Sequence, residues 1–131
     1  MDSALQHVIH ETFTASNEGR IHFGEVVGRL VEVGVSSYIV DYRCHRATYY
    51  LANDETLALE MEATPVVIGE RFSGDAVLAA IRGAQRGEVM YPEFKRLSMA
   101  AGCVGYTVWI SGRHVTYFGR NGETHVEQFP S

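Results

Sequence analysis

Apolar residues recur along this chain with two periods, and the pair of periods occurs twice. Leu5, Val8, Ile9, Thr12 and Phe13 keep helical spacing, with Asp2 and Ser3 before them as capping candidates. After a break at Gly19, Phe23, Val26, Val27 and Leu30 form a second helical stripe. The spacing then changes. Residues 36–42, 45–51 and 55–61 read as strands, joined at Arg43-Cys44 and Asn53-Asp54. A linker over 63–74 follows, with Pro65 ending the strand before it.

The succession then repeats. Val77, Ala80, Ile81 and Ala84 make a helical stripe behind Ser73 or Asp75 as N-cap, and Gly87 marks the break. Phe94, Leu97 and Ala101 make the next stripe, with Pro92 in the first turn, where its missing N–H costs nothing. Residues 106–110, 113–119 and 123–129 read as strands, turned at Ser111-Gly112 and Asn121-Gly122. Asn-Gly suits a two-residue hairpin loop, because both central residues of a type I′ turn need positive φ. Gly34 and Gly102 stand where a C′ glycine ends each second helix.

The residues themselves repeat at an offset of 68. Residues 34–56 lie on 102–124 without a gap, with 8 identities in 23, among them Gly34/Gly102, Tyr38/Tyr106, Tyr49/Tyr117 and Asn53/Asn121. Composition alone gives about one or two. The pattern predicts an α+β fold: a single domain over 1–131, with an internal duplication of a helix-helix-β-meander unit. Copy one is 1–62 and copy two 69–130, and helices pack one face of an antiparallel sheet. The alternative is a shorter unit in which 55–61 is irregular.

Composition narrows the function classes. The chain has 131 residues, 46% hydrophobic and 21% charged, with a net charge of −5. That balance, with no Lys/Arg run, argues against a nucleic-acid clamp. No apolar run approaches the roughly 20 residues of a membrane span, so no membrane partner is expected. Cys44 and Cys103 lack C-x-x-C spacing; they read as free thiols, small buried hydrophobes in a reducing, cytoplasmic setting. Phosphate-loop and nucleophile-elbow motifs do not occur.

The run from Gly105 through Tyr106-Thr107-Val108-Trp109-Ile110 to His125, with Tyr91-Pro92-Glu93-Phe94 upstream, resembles a family of small uncharacterised bacterial proteins. Members are sometimes labelled phage envelope protein. The resemblance is best over 79–130. It implies an α+β fold and no assigned activity, and it supplies no catalytic residues.

Candidate chemistry follows from the expected strand pairing. With two-residue turns, Trp109 opposes His114, Phe118 opposes His125 and Thr116 opposes Glu127. Trp109, His114, Thr116, His125 and Glu127 then share one face, where His and Glu can serve as acid and base and Trp109 as a stacking wall. The plainer reading is a solvated sheet face. His114, His125 and Glu127 lack the strand or helix spacing of a metal set, so neither metal nor cofactor is expected. In the first half the same face is expected to carry Ile39, Asp41, Arg46, Thr48, Tyr50, Leu57 and Leu59, with Asp41 and Arg46 as a cross-strand ion pair. The favoured function is a non-enzymatic binding or protein-interaction module. The alternative is a small ligand-binding domain or enzyme using the His/Glu/Trp cluster. Exposed strand edges and aromatics on both sheet faces predict a homodimer.

Overall fold

Helices start and stop where the sequence places its capping residues. In the computed structural model, which describes residues 1–130, the Asp2 carboxylate accepts from the Leu5 amide at 3.0 Å and opens α1 (Ser3–Asn17). The Ser73 hydroxyl accepts from the Ala76 amide at 3.1 Å and opens α3 (Gly74–Gln85). Helix α2 is Phe23–Glu32, and α4 is Tyr91–Ala100 with Pro92 in its first turn. Gly102 follows α4 with φ of +89°, and a Cβ there would collide with the Arg71 carbonyl. Only glycine fits that stop.

Strands β1 (Val35–Asp41), β2 (Arg46–Leu51), β3 (Thr56–Glu60), β4 (Cys103–Trp109), β5 (His114–Gly119) and β6 (Thr124–Gln128) form one antiparallel sheet, in the order β3-β2-β1-β4-β5-β6. Each half thus contributes two helices and a three-stranded meander. Residues 55–61 contain a regular strand, which removes the shorter alternative. The halves meet at β1 and β4, where Tyr38 opposes Val108, Val40 opposes Tyr106, and Ile39 opposes Thr107.

One face of the sheet is covered by helices. Tyr38, Val40, Ala47, Tyr49, Tyr106, Val108, Val115 and Tyr117 alternate onto it and are buried with Ile9, Val26, Leu30, Val77, Ile81 and Phe94. Taking each large apolar side chain out of water contributes about 1.5–3 kcal/mol. Tyr42 and Ser98 join their hydroxyls at 2.8 Å within this core. Helix α4 turns Ser98 and Lys95 inward and leaves Leu97 39% exposed, so its buried stripe is Phe94, Lys95, Ser98 and Met99 rather than the expected one through Leu97. The other sheet face is open, with Ile39, Trp109 and Val126 exposed by 39%, 42% and 50%.

The strand pairing corrects one expectation. Trp109 opposes His114 as predicted, but β6 is shifted by one residue: Tyr117 opposes His125, Thr116 opposes Val126 and Val115 opposes Glu127. The cause is the loop. The Gly119 amide donates to the Glu123 carbonyl at 2.8 Å, and Gly122, at φ +84°, takes the left-handed position without Asn121. This is a three-residue loop with a glycine bulge, not a two-residue type I′ turn. A one-residue slip exchanges the faces, so His125 and Glu127 lie on the helix-covered side and Val126 on the open side. The first half has the same loop: Leu51 donates to Glu55 at 2.9 Å and Asp54 has φ of 70°. Leu57 and Leu59 therefore oppose Tyr49 and Ala47 on the covered side, apart from Ile39 and Thr48.

Two smaller expectations also change. Asp41 opposes Arg46, yet its carboxylate accepts from the Arg43 and Cys44 amides at 2.8 and 3.1 Å. It caps the turn instead of pairing with Arg46. Both thiols are free, but only Cys103 is buried; Cys44 is exposed because it sits in that turn.

Candidate functional site

Beneath the second half of the helical layer the core does not close. Tyr38, Tyr106, Val115 and Tyr117 rise from β1, β4 and β5 as a floor, and Phe23 and Val26 of α2, Ile81 of α3, Tyr91 and Phe94 of α4, and Phe129 form the walls. They surround a cavity of about 920 Å³. The first half builds its counterpart from the same elements, with Phe13, Ala47, Tyr49 and Met61 among its lining, and leaves about 20 Å³. At the 68-residue offset, Phe13 corresponds to Ile81 and Ala47 to Val115. The phenyl ring of Phe13 stands in the helix where the second half has the shorter Ile81.

Four phenols, those of Tyr38, Tyr91, Tyr106 and Tyr117, belong to the lining of the cavity. The Tyr106 hydroxyl donates to the Tyr91 hydroxyl at 2.9 Å. Burial raises the ionisation of Tyr38, Tyr106 and Tyr117 well above the usual tyrosine value. Burial also pushes Tyr91 up to about 12, against hydrogen bonds with Tyr106 and Tyr42 that pull it down. All four phenols are therefore protonated near neutral pH and act as neutral donors. Among the described residues, the Tyr38 and Tyr117 hydroxyls have no hydrogen-bond partner.

The charged groups at the mouth are paired. Arg82 Nη1 donates to Glu127 Oε2 at 2.8 Å and to Gln85 Oε1 at 2.7 Å. Burial pushes the Glu127 carboxyl up, but the Arg82 hydrogen bond and charge, with Gln85 and His125, outweigh it and hold it below its usual value. Arg86 Nε meets Glu88 Oε2 at 3.1 Å.

The sheet divides the residues expected to form a site. Trp109, His114 and Thr116 stay on the open face, where Trp109 Nε1 donates to Thr116 Oγ1 at 3.3 Å. The Trp109 and His114 rings lie 6.2 Å apart, and His114 Nδ1 is 3.0 Å from the Gly112 carbonyl. On the covered face, His125 Nε2 is 3.7 Å from Glu127 Oε1; that nitrogen is buried without a hydrogen-bond partner. Of the five, only Glu127 lines the cavity. No group of three His, Cys, Asp or Glu placed to hold a metal occurs among the described residues. Sequence reasoning missed Tyr38, Arg82 and Tyr91 as site residues. The available signal was Leu57 and Leu59, whose alternation with Thr56, Ala58 and Glu60 already demands a covered face and so places His125 and Glu127, 68 residues on, beneath the helices.

Over residues 3–128 the chain matches the model of a family described as "Protein of unknown function (DUF1398)". It is also 33% identical over 58 residues to the uncharacterized proteins Mb2035 of Mycobacterium bovis and Rv2012 of Mycobacterium tuberculosis. The matched stretch is 44% of this chain and 35% of those proteins, so the chain spans about a third of the length of the curated relatives it matches. No helix among the described residues is long and apolar enough to cross a membrane.

Proposed function

The chain belongs to this family of unknown function, and within it we propose a non-enzymatic binding module that holds a small molecule between sheet and helices. The cavity carries this reading. Small-molecule sites occupy roughly 300–1,000 Å³ and are mostly apolar with a few polar groups, and about 920 Å³ lies within that range. The two halves use the same elements, so the fold does not by itself require the opening; the first half closes its counterpart to about 20 Å³. The lining favours binding over proton transfer. Its phenols stay protonated, and Arg82 and Glu127 satisfy each other. The test is titration with a neutral, polarity-sensitive naphthalene dye. A saturable one-to-one enhancement with blue-shifted emission is expected; emission that rises linearly without saturation would refute the site.

Self-association through the open sheet face is a second reading. It is supported by Ile39, Trp109 and Val126, exposed by 39–50%, and by β3 and β6 at the sheet edges. Sedimentation velocity over a hundredfold concentration range tests it, and a single monomeric species throughout would defeat it. Both readings assume a reducing cytoplasmic setting, supported by the free Cys44 and Cys103 thiols. A partner other than nucleic acid is in keeping with the net charge of −5.

A further inference from the structure

Resting on the cavity as a ligand site, we infer the class of its ligand: an uncharged, flat-ringed molecule bearing a carbonyl or ether oxygen, which accepts from the Tyr117 hydroxyl. Three observations converge on it.

The first is the aromatic wall. Tyr106 and Tyr117 lie 5.6 Å apart, Phe94 and Tyr117 6.0 Å, and Tyr91 and Tyr106 6.5 Å, all tilted or edge-on. Phe23 and Phe129 meet edge-on at 5.7 Å across from them. Rings packed this way offer faces and edges to a further ring, and such pairs add about 0.5–1.5 kcal/mol beyond area burial.

The second is an imbalance of hydrogen-bonding groups. Tyr106 donates to Tyr91, but the Tyr117 and Tyr38 hydroxyls, both in cavity-lining residues, make no hydrogen bond to another described residue, and neither belongs to the sealed, unpartnered atoms, which are on His45 and His125. A phenol that binds water in the empty site needs an acceptor when the water leaves, or it loses about 1–3 kcal/mol. Tyr117 stands on β5 beside Tyr106, and Tyr38 on β1 supplies a second donor across β4.

The third is charge. Arg82, Arg86 and Glu127 line the cavity and each has a partner of opposite sign; His22, at the start of α2, is the further titratable side chain besides the tyrosines in the lining. The floor is phenolic and aliphatic. A carboxylate or ammonium carried down to it loses hydration and meets no free opposite charge. The aromatic faces admit one competitor, a quaternary ammonium held by cation–π attraction.

A matched probe series separates these cases: naphthalene, 2-acetylnaphthalene, 2-naphthoate and 2-naphthyltrimethylammonium, titrated into the full chain. The expected result is tightest binding of 2-acetylnaphthalene, about fivefold over naphthalene, the equivalent of one hydrogen bond near 1 kcal/mol. Tyr117→Phe should bring the two within twofold and leave naphthalene affinity unchanged. Tyr38→Phe, which keeps the Tyr117 hydroxyl, should retain the preference for 2-acetylnaphthalene; loss of the preference in Tyr38→Phe, or its survival in Tyr117→Phe, would overturn Tyr117 as the donor. Equal affinities for naphthalene and 2-acetylnaphthalene, or tightest binding of the carboxylate or the ammonium, would overturn the ligand class while leaving the site standing. Binding of none of the four would overturn the site itself.

Discussion

Ile81→Phe places in the second half the residue that the first half already has at that position. Ile81 is 5% exposed and lines the open cavity, while Phe13, 68 residues earlier, lines the closed counterpart. In a close-packed core, enlarging a buried side chain costs about 1–3 kcal/mol. Here about 920 Å³ stands in front of the side chain. The ring buries roughly 40 Å² more apolar surface than the aliphatic chain, worth about 1 kcal/mol at 25 cal/mol per Å². Stability should therefore hold or rise by up to that amount, an increase of about 3–5 °C in the unfolding midpoint for a chain of this length. Affinity for the naphthalene dye should fall without being lost, because the ring narrows a space of about 920 Å³ and does not fill it. Urea unfolding and dye titration on one preparation read both quantities. Destabilisation by about 1–3 kcal/mol with unchanged dye affinity would mean that the space is absent and the reasoning wrong.

Four further outcomes follow from local geometry. Gly102→Ala combines a φ of +89° with a collision against the Arg71 carbonyl and should cost more than about 2 kcal/mol in urea unfolding. By contrast Gly28→Ala, mid-helix with open space around it, should stabilise by about 0.5–1 kcal/mol. Tyr42→Phe removes the 2.8 Å bond to Ser98 and should cost about 1 kcal/mol, with Ser98 still donating to the Lys95 carbonyl. Glu127 is held below its usual value, so its stabilising contribution is complete above the ordinary carboxyl range and is lost as pH falls through the lowered folded value. Arg82→Met should flatten that acid limb in urea midpoints taken from pH 7 to pH 3, and an unchanged limb would count against the pair.

Much of this fold is legible in residue order. Asp2, Ser73, Pro92, Gly34 and Gly102 mark helix ends because capping and positive φ are local requirements, and the structure uses each as expected. The 68-residue offset places Tyr38 and Tyr106 alike within their meanders, but it leaves the strand order between the halves open; the structure joins them at β1 and β4. The faces of β3 and β6 were not fixed by the turn dipeptides. Asn121-Gly122 fits either a two- or a three-residue loop, and the choice rests on the bond from Gly119 to Glu123. Leu57 and Leu59 resolve it once burial is weighed above turn type. The cavity was not legible in this way. It depends on how Ile81, Val115 and Phe129 fill a volume shared by elements far apart in sequence, and no local pattern encodes that volume.

The central claim is that small molecules enter between the sheet and the helices, not on the open face. Methyl-labelled protein with a bound neutral naphthyl probe tests it directly through intermolecular NOEs. The account predicts contacts to Ile81, Val89 and Val115, which line the cavity, and none to Ile39 or Val126 on the open face. Contacts confined to Ile39 and Val126 would contradict it.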